Sequence, residues 1–119
     1  MKIIDYETAG GKNLIKEYLS ALPETERYVG YSIRHKIIKN GVSALKELDT
    51  RQLRGKLWEI KFSKNRIMYV LQADHDKIYF LHACRKQKGK AEQFELETAI
   101  RRAKEQGFDI EVEVTLCHS

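Results

Sequence analysis

The chain has 119 residues, 42 % hydrophobic and 33 % charged, which suits one folded domain with one core and excludes a disordered chain. Lysine and arginine number 22 against 17 acids, a formal charge of +5; this permits a nucleic-acid partner without requiring one. No run approaches the roughly 18 apolar residues of a membrane span, MKIIDYETAGG is too polar for a signal peptide, and two cysteines are too few for a disulfide scaffold, which predicts a cytoplasmic protein with reduced thiols and no membrane partner.

In chain order, Lys2 to Tyr6 is a short β-like run ended by Gly10 and Gly11. Asn13 can cap a helix, because its side-chain oxygen accepts an orphan N–H of the first turn. Leu14, Ile15, Tyr18, Leu19 and Leu22 then recur at helical spacing. Pro23 stops that helix and suits the start of a second, which carries Val29, Ile33 and Ile37 on one face and ends at Asn40 and Gly41. Ser43 to Leu48 predicts one more helical turn. Lys56 to Phe62, Arg66 to Gln72 and Lys77 to Cys84 are rich in Ile, Val, Tyr, Phe and Trp and are separated by short turns, the signature of a β-meander. In the first of these runs Trp58, Ile60 and Phe62 share a face, which makes Trp58 a core residue, while Leu57, Glu59 and Lys61 point the other way. Lys90 to Gln106 is a helix with a stripe of Leu96, Ala99, Ile100 and Ala103, closed by Gly107. The tail alternates Ile110, Val112, Val114 and Leu116 with polar residues, which predicts a final strand.

The expected order is therefore β-α-α-β-β-β-α with an extra C-terminal strand: an α+β fold with helices on one face of a small, mostly antiparallel sheet. The other face is expected to stay partly open between the meander and the last helix. Residues 1–107 form the domain, and 108–119 are an extension of it. That extension is expected to pair, either with its own meander or across to a second copy as a homodimer, because an unpaired amphipathic strand exposes open backbone groups; the alternative is a frayed terminus.

Positive charge is concentrated in the middle of the chain. Arg51 to Arg66 holds six basic residues and one acid, Glu59; Arg85 to Lys90 holds four basic residues and no acid. Lys61, Arg66, Arg85, Lys86, Lys88 and Lys90 fall near strand ends, which lie about 4.8 Å apart between neighbouring strands. Such a group can hold a phosphodiester and take up the extra charge of a phosphorane-like transition state. Glu59, His82 and Tyr69 are the nearby acid or base groups. His82 shares parity with Ile78 and Phe80 and is either a structural histidine or an acid. The alternative is that the cations are solvated edge charges that prevent aggregation. Walker, dinucleotide, GxSxG and HExxH motifs are absent from the sequence. The four histidines and two cysteines show no close metal-ligand spacing, and no metal or cofactor is expected.

The blocks LRGKLWEIKF (53–62), RIMYV (66–70), IYFLHACRKQKGK (78–90) and ELETAIRRAKE (95–105), with EYLSALPETERYVGYSIRHKIIKNG upstream, resemble the RelE/ParE superfamily, and within it the HigB-like, phage-related toxins. The resemblance covers roughly residues 1–106. It implies a RelE-like fold and a toxin that cleaves mRNA on the ribosome, without metal, by attack of the 2′-OH on the adjacent phosphate. It also implies neutralisation by a helix-turn-helix antitoxin. By the same resemblance Lys61 and Arg66 hold the scissile phosphate, Lys86 assists, Tyr69 positions the 2′-OH or a base, and Glu59 or His82 transfers protons. Glu59 is either a general base or a partner that orients Lys61. Arg54, Lys56, Arg85, Lys88 and Lys90 would bind RNA backbone. Two positions depart from the pattern: Asn65 stands where relatives carry an aromatic, and Gln87 where they carry a basic residue. ParE-type members share the fold but act by binding protein, which is the alternative function.

Overall fold

The computed structural model describes residues 1–110. The elements run β1 (Lys2–Asp5), α1 (Leu14–Ser20), α2 (Glu24–Asn40), α3 (Val42–Glu47), β2 (Thr50–Arg54), β3 (Leu57–Phe62), β4 (Asn65–Leu71), β5 (Lys77–Arg85) and α4 (Lys90–Glu105). The five strands form one sheet in the order β1-β5-β4-β3-β2, antiparallel except where β1 runs parallel to β5. This is the α+β class read from the sequence, with two elements added. One is α3, where a helical turn was expected. The other is β2, an edge strand whose TRQLR sequence lacks apolar alternation. The expected final strand beyond Ile110 lies outside the described residues, as does any homodimer formed through it.

Local chemistry explains the helix ends. Asn13 Oδ1 accepts the N–H of Lys16 at 2.9 Å and caps α1. Pro23 stands at the N-cap of α2 with φ −54°. Gly41 takes φ +62° after the last turn of α2, a backbone that a side chain would strain.

The helices divide between both faces of the sheet, where the sequence suggested one. On the first face, α1, α2 and α3 bury Ile15, Leu19, Ile33, Ile37 and Leu45 against Ile60, Phe62, Ile67, Ile78 and Phe80. On the second, α4 sets Ala99, Ile100 and Ala103 against Leu57, Met68, Val70, Leu81 and Cys84. The apolar residues thus form two clusters rather than the single core expected, because β4 is apolar on both sides and cannot leave either one wet. Trp58 lies on the first face as parity requires, at a groove beside α3. It is 37 % exposed instead of buried.

The hairpin between β3 and β4 turns on Ser63 and Lys64, with φ of +46° and +66°. Two-residue hairpins favour turns with both φ positive, usually on Asn or Gly. Here side-chain-bearing residues take them, at roughly 1–2 kcal/mol each. The backbone N–H of Lys86 donates to the Lys64 carbonyl at 2.8 Å and ties the segment after β5 to this turn.

Candidate functional site

Side chains alternate across a strand, so cross-strand partners share a face. Lys61 of β3 pairs with Arg66 of β4, which pairs with Cys84 of β5. One step along the sheet, Arg51 of β2, Glu59, Met68 and His82 form the next row. Both rows lie on the second face, and α4 covers only part of it. The side chains of Glu59 and Arg66 are 0 % and 3 % exposed. Arg66 Nε donates to Glu59 Oε1. The other carboxylate oxygen lies 2.8 Å from Arg51 Nη2, in an ion pair whose angles depart from those of a hydrogen bond. Arg66 Nη1 has no hydrogen-bond partner among the described residues. Glu92 Oε1, on the first turn of α4, stands 3.6 Å from it.

Two adjoining hollows open over these rows. One, of about 200 Å³, is lined by Arg51, Glu59, Lys61, Arg66, Lys86, Gln87, Lys88 and Glu92. The other, of about 230 Å³, runs from Asp49 past Phe62 to the Ser63–Lys64 turn and shares Lys61, Arg66 and Lys86. Lys61 is one-third exposed, and its Nζ is 3.9 Å from the Asp49 carboxylate. The product is a cleft floored by a buried arginine and rimmed by lysines. Such a surface is built to receive an anion, because an unpaired buried donor gains most from a charged acceptor.

Lys61, Arg66, Lys86, Glu59 and Lys88 of the sequence-derived residues meet here; the others do not. Tyr69 faces the helical side and lines an apolar groove with Trp58, Leu45 and Leu71. Burial pushes its hydroxyl up to about 12. Arg85 also faces the helical side and donates to Glu26 Oε1 at 2.8 Å. Arg54 and Lys56 sit at the opposite end of β3 from Lys61, about 15 Å along the strand at roughly 3.3 Å per residue. Lys90 is the exposed first residue of α4.

His82 changes sides. The pairing passes from Tyr69 with Phe80 to Met68 with His82, so Leu81 is an extra residue in β5. That bulge turns His82 away from the Ile78 and Phe80 face expected from simple parity. Its Nε2 then meets Glu95 Oε2 at 2.8 Å, and Arg102 Nη1 donates to Nδ1 at 3.1 Å. Arginine only donates, so Nδ1 is the acceptor and Nε2 carries the proton toward Glu95. Burial lowers the pKa of His82, the Glu95 hydrogen bond and charge oppose that, and the Arg102 charge adds to it.

His82, Cys84 and Glu95 also bring possible metal-ligand atoms within 4.8 Å of one another. The arrangement suits a proton-held relay better than a metal. The Nε2 proton already points at Glu95, and a guanidinium sits on the other ring nitrogen, where metal sites place an acceptor. Burial and the Glu95 hydrogen bond push the Cys84 thiol up to about 12.

Arg51, Lys64, Gln87 and Glu92 line the cleft without having been chosen from the sequence. Arg51 had been counted with the central cations, and its partnership with Glu59 depends on the unforeseen strand β2. Asn65 is buried on the first face. Tyr18 donates to its Oδ1 at 2.6 Å, and its Nδ2 donates to Glu26 Oε1 at 2.8 Å. Burial, opposed by the Arg85 charge, takes the Tyr18 hydroxyl up to about 12.

Fold and cleft together define a small α+β protein with a cationic pocket at one end of its sheet. The chain belongs to the family described as Phage derived protein Gp49-like (DUF891), whose model matches residues 17–104. This is a phage-derived, toxin-like family of the RelE type. No curated protein matches the chain. Among the described residues, no helix is long and apolar enough to cross a membrane.

Proposed function

We propose that this protein is the HigB-like toxin of a toxin–antitoxin pair, an endoribonuclease that cleaves ribosome-bound mRNA without a metal. The carrying observation is Arg66: a buried guanidinium with an unpartnered Nη1 on the floor of a cleft rimmed by Lys61, Lys86 and Lys88. In this reading the 2′-oxygen of the RNA attacks the adjacent phosphorus as its proton passes to solvent water at the open cleft. The P–O5′ bond breaks, the departing 5′-oxygen takes a proton from solvent water, and the products are a 2′,3′-cyclic phosphate and a 5′-hydroxyl. Arg66, Lys61 and Lys86 take up the added charge on the phosphorane oxygens, a contribution that preorganised donors make without reorganising. Glu59 acts through Arg66 as a positioning residue, since its oxygens are already engaged by two arginines. The partner that silences the protein would be a helix-turn-helix antitoxin.

Primer extension on cellular mRNA after induction tests this reading. Discrete new 5′-ends are expected with the wild type and none with the Lys61→Ala, Lys86→Ala double variant. Growth arrest that persists in that variant with intact transcripts would reject it. The second reading, a ParE-like relative that acts by binding protein, is favoured by one observation. Arg51 and Arg66 are already faced by Glu59 and Glu92, which leaves the arginine pair neutralised in the free protein.

A further inference from the structure

The two arginines of the cleft face two acids of unequal standing. Glu59 is fully buried and holds Arg66 and Arg51 at close range. Glu92 is 43 % exposed, and its Oε1 stands 3.6 Å from Arg66 Nη1 and 3.9 Å from Arg51 Nη2. These are ion-pair distances too long for hydrogen bonds. Arg66 Nη1, the donor left without a partner, is the atom Glu92 approaches most nearly. A carboxylate above two guanidinium groups occupies the volume that a phosphate would take.

We propose that Glu92 sets the binding threshold of the cleft, as a tethered carboxylate that a phosphate must displace to reach Arg66 and Arg51. A ligand is then held at ordinary concentration only where contacts beyond a single phosphate offset the displacement. The proposal rests on the reading of this cleft as the RNA site. A tethered group competes at an effective concentration in roughly the millimolar range, which a lone phosphate or mononucleotide at ordinary concentration does not overcome. An oligonucleotide brings further phosphates to Lys61, Lys86 and Lys88, whose contacts offset the displacement. Glu92 can leave because its side chain lies at the solvent edge of the cleft, whereas Glu59 has no route out.

The test uses a fluorescent 2′-O-methyl RNA pentamer, which cannot be cleaved, with uridine 5′-monophosphate and inorganic phosphate as competitors. Wild type, Glu92→Gln and Asp74→Asn are compared by anisotropy. Asp74→Asn removes the same charge in the β4–β5 turn, at the other end of the sheet. Wild type is expected to bind the pentamer and to ignore both competitors below millimolar levels. In Glu92→Gln the pentamer and both competitors should each gain by a similar factor of roughly tenfold or more, because each displaces the same tethered carboxylate, and uridine 5′-monophosphate should then compete at lower concentration. In an Arg51→Gln background the gain from Glu92→Gln should shrink. Gains no larger than in Asp74→Asn, or a gain for the pentamer with none for the mononucleotide, would overturn the proposal. So would a wild type that binds no pentamer. Failure of the nuclease reading alone would appear separately, as uncut transcripts beside an intact shift in competition.

Discussion

Glu59 and Arg66 meet across two neighbouring strands as a buried ion pair, with Arg66 Nε donating to Glu59 Oε1. Breaking such a pair by removing one partner strands the other charge in a medium that cannot solvate it, at about 3–5 kcal/mol. Glu59→Ala is therefore expected to lower unfolding free energy by that amount in urea denaturation. An unchanged urea midpoint would mean that the pair is solvated. Arg66→Lys keeps the charge but loses the planar guanidinium that engages Glu59 through Nε and faces Glu92 through Nη1. It is expected to destabilise as well.

Lys61 and Lys86 rim the same cleft from the solvent side, so their removal should separate function from folding. Lys61→Ala and Lys86→Ala are expected to melt like the wild type and to weaken binding of a single-stranded RNA. Each phosphate contact releases counterions, and each lost contact should reduce the slope of log affinity against log salt by about 0.7. An unchanged slope in both variants would place the RNA elsewhere on the surface.

Much of this arrangement could be read along the chain, and the misses have physical causes. Leu57, Glu59 and Lys61 alternate with Trp58, Ile60 and Phe62 as period two demands, so the face that carries the cleft was legible. The cap at Asn13 and the stops at Pro23 and Gly41 follow from local backbone chemistry and stand where expected. Strand β2 was not legible, because an edge strand of mixed polarity is held by its neighbour's hydrogen bonds rather than by its own pattern. Arg51 was lost with it. His82 was misplaced because a bulge is a property of two strands together, and the sequence of one does not mark it. By local chemistry Glu92 is an ordinary first-turn acid, favourable at a helix N-terminus. Only the packing of α4 across the sheet sets it over the arginines.

The His82 site makes stability depend on pH. Unfolded, the imidazole titrates near its ordinary 6.5; folded, burial moves it lower. Between those two values the unfolded chain binds more protons, so acid pulls the equilibrium toward unfolding. The stability contribution is complete above 6.5 and is lost as pH falls toward the folded value. Thermal melts taken from pH 7.5 to 5 should show a falling midpoint that flattens in His82→Gln. Identical pH profiles for the two proteins would show that His82 stays solvated.

Cys84 is 5 % exposed, and its thiol is pushed up to about 12. Thiolate is the reactive form, so the native thiol should resist alkylation at pH 8. In a Cys117→Ser background, iodoacetamide is expected to modify Cys84 only at the rate of unfolding, and fully in urea. Rapid native labelling would mean that α4 opens away from β5 on that timescale.

The last expectation concerns the end of the described chain. Ile110 is fully buried in the second-face cluster, with Leu57, Leu81 and Ala103 among its members. Its carbonyl oxygen sits where a Cβ on Gly55 would lie, at 2.0 Å, and Gly55 has φ +51°. The β2–β3 turn thus needs glycine twice over, for its backbone angle and for the chain that crosses it. Removing a buried aliphatic side chain typically costs about 2–5 kcal/mol. Ile110→Ala and Gly55→Ala are both expected to lower the urea midpoint. Neither should change the cleft chemistry, because Lys61 and Arg66 lie toward the other end of the sheet. A chain ending at Phe108 should lose at least as much stability as Ile110→Ala. If that truncation melts with the wild type, Ile110 is not part of the core in solution.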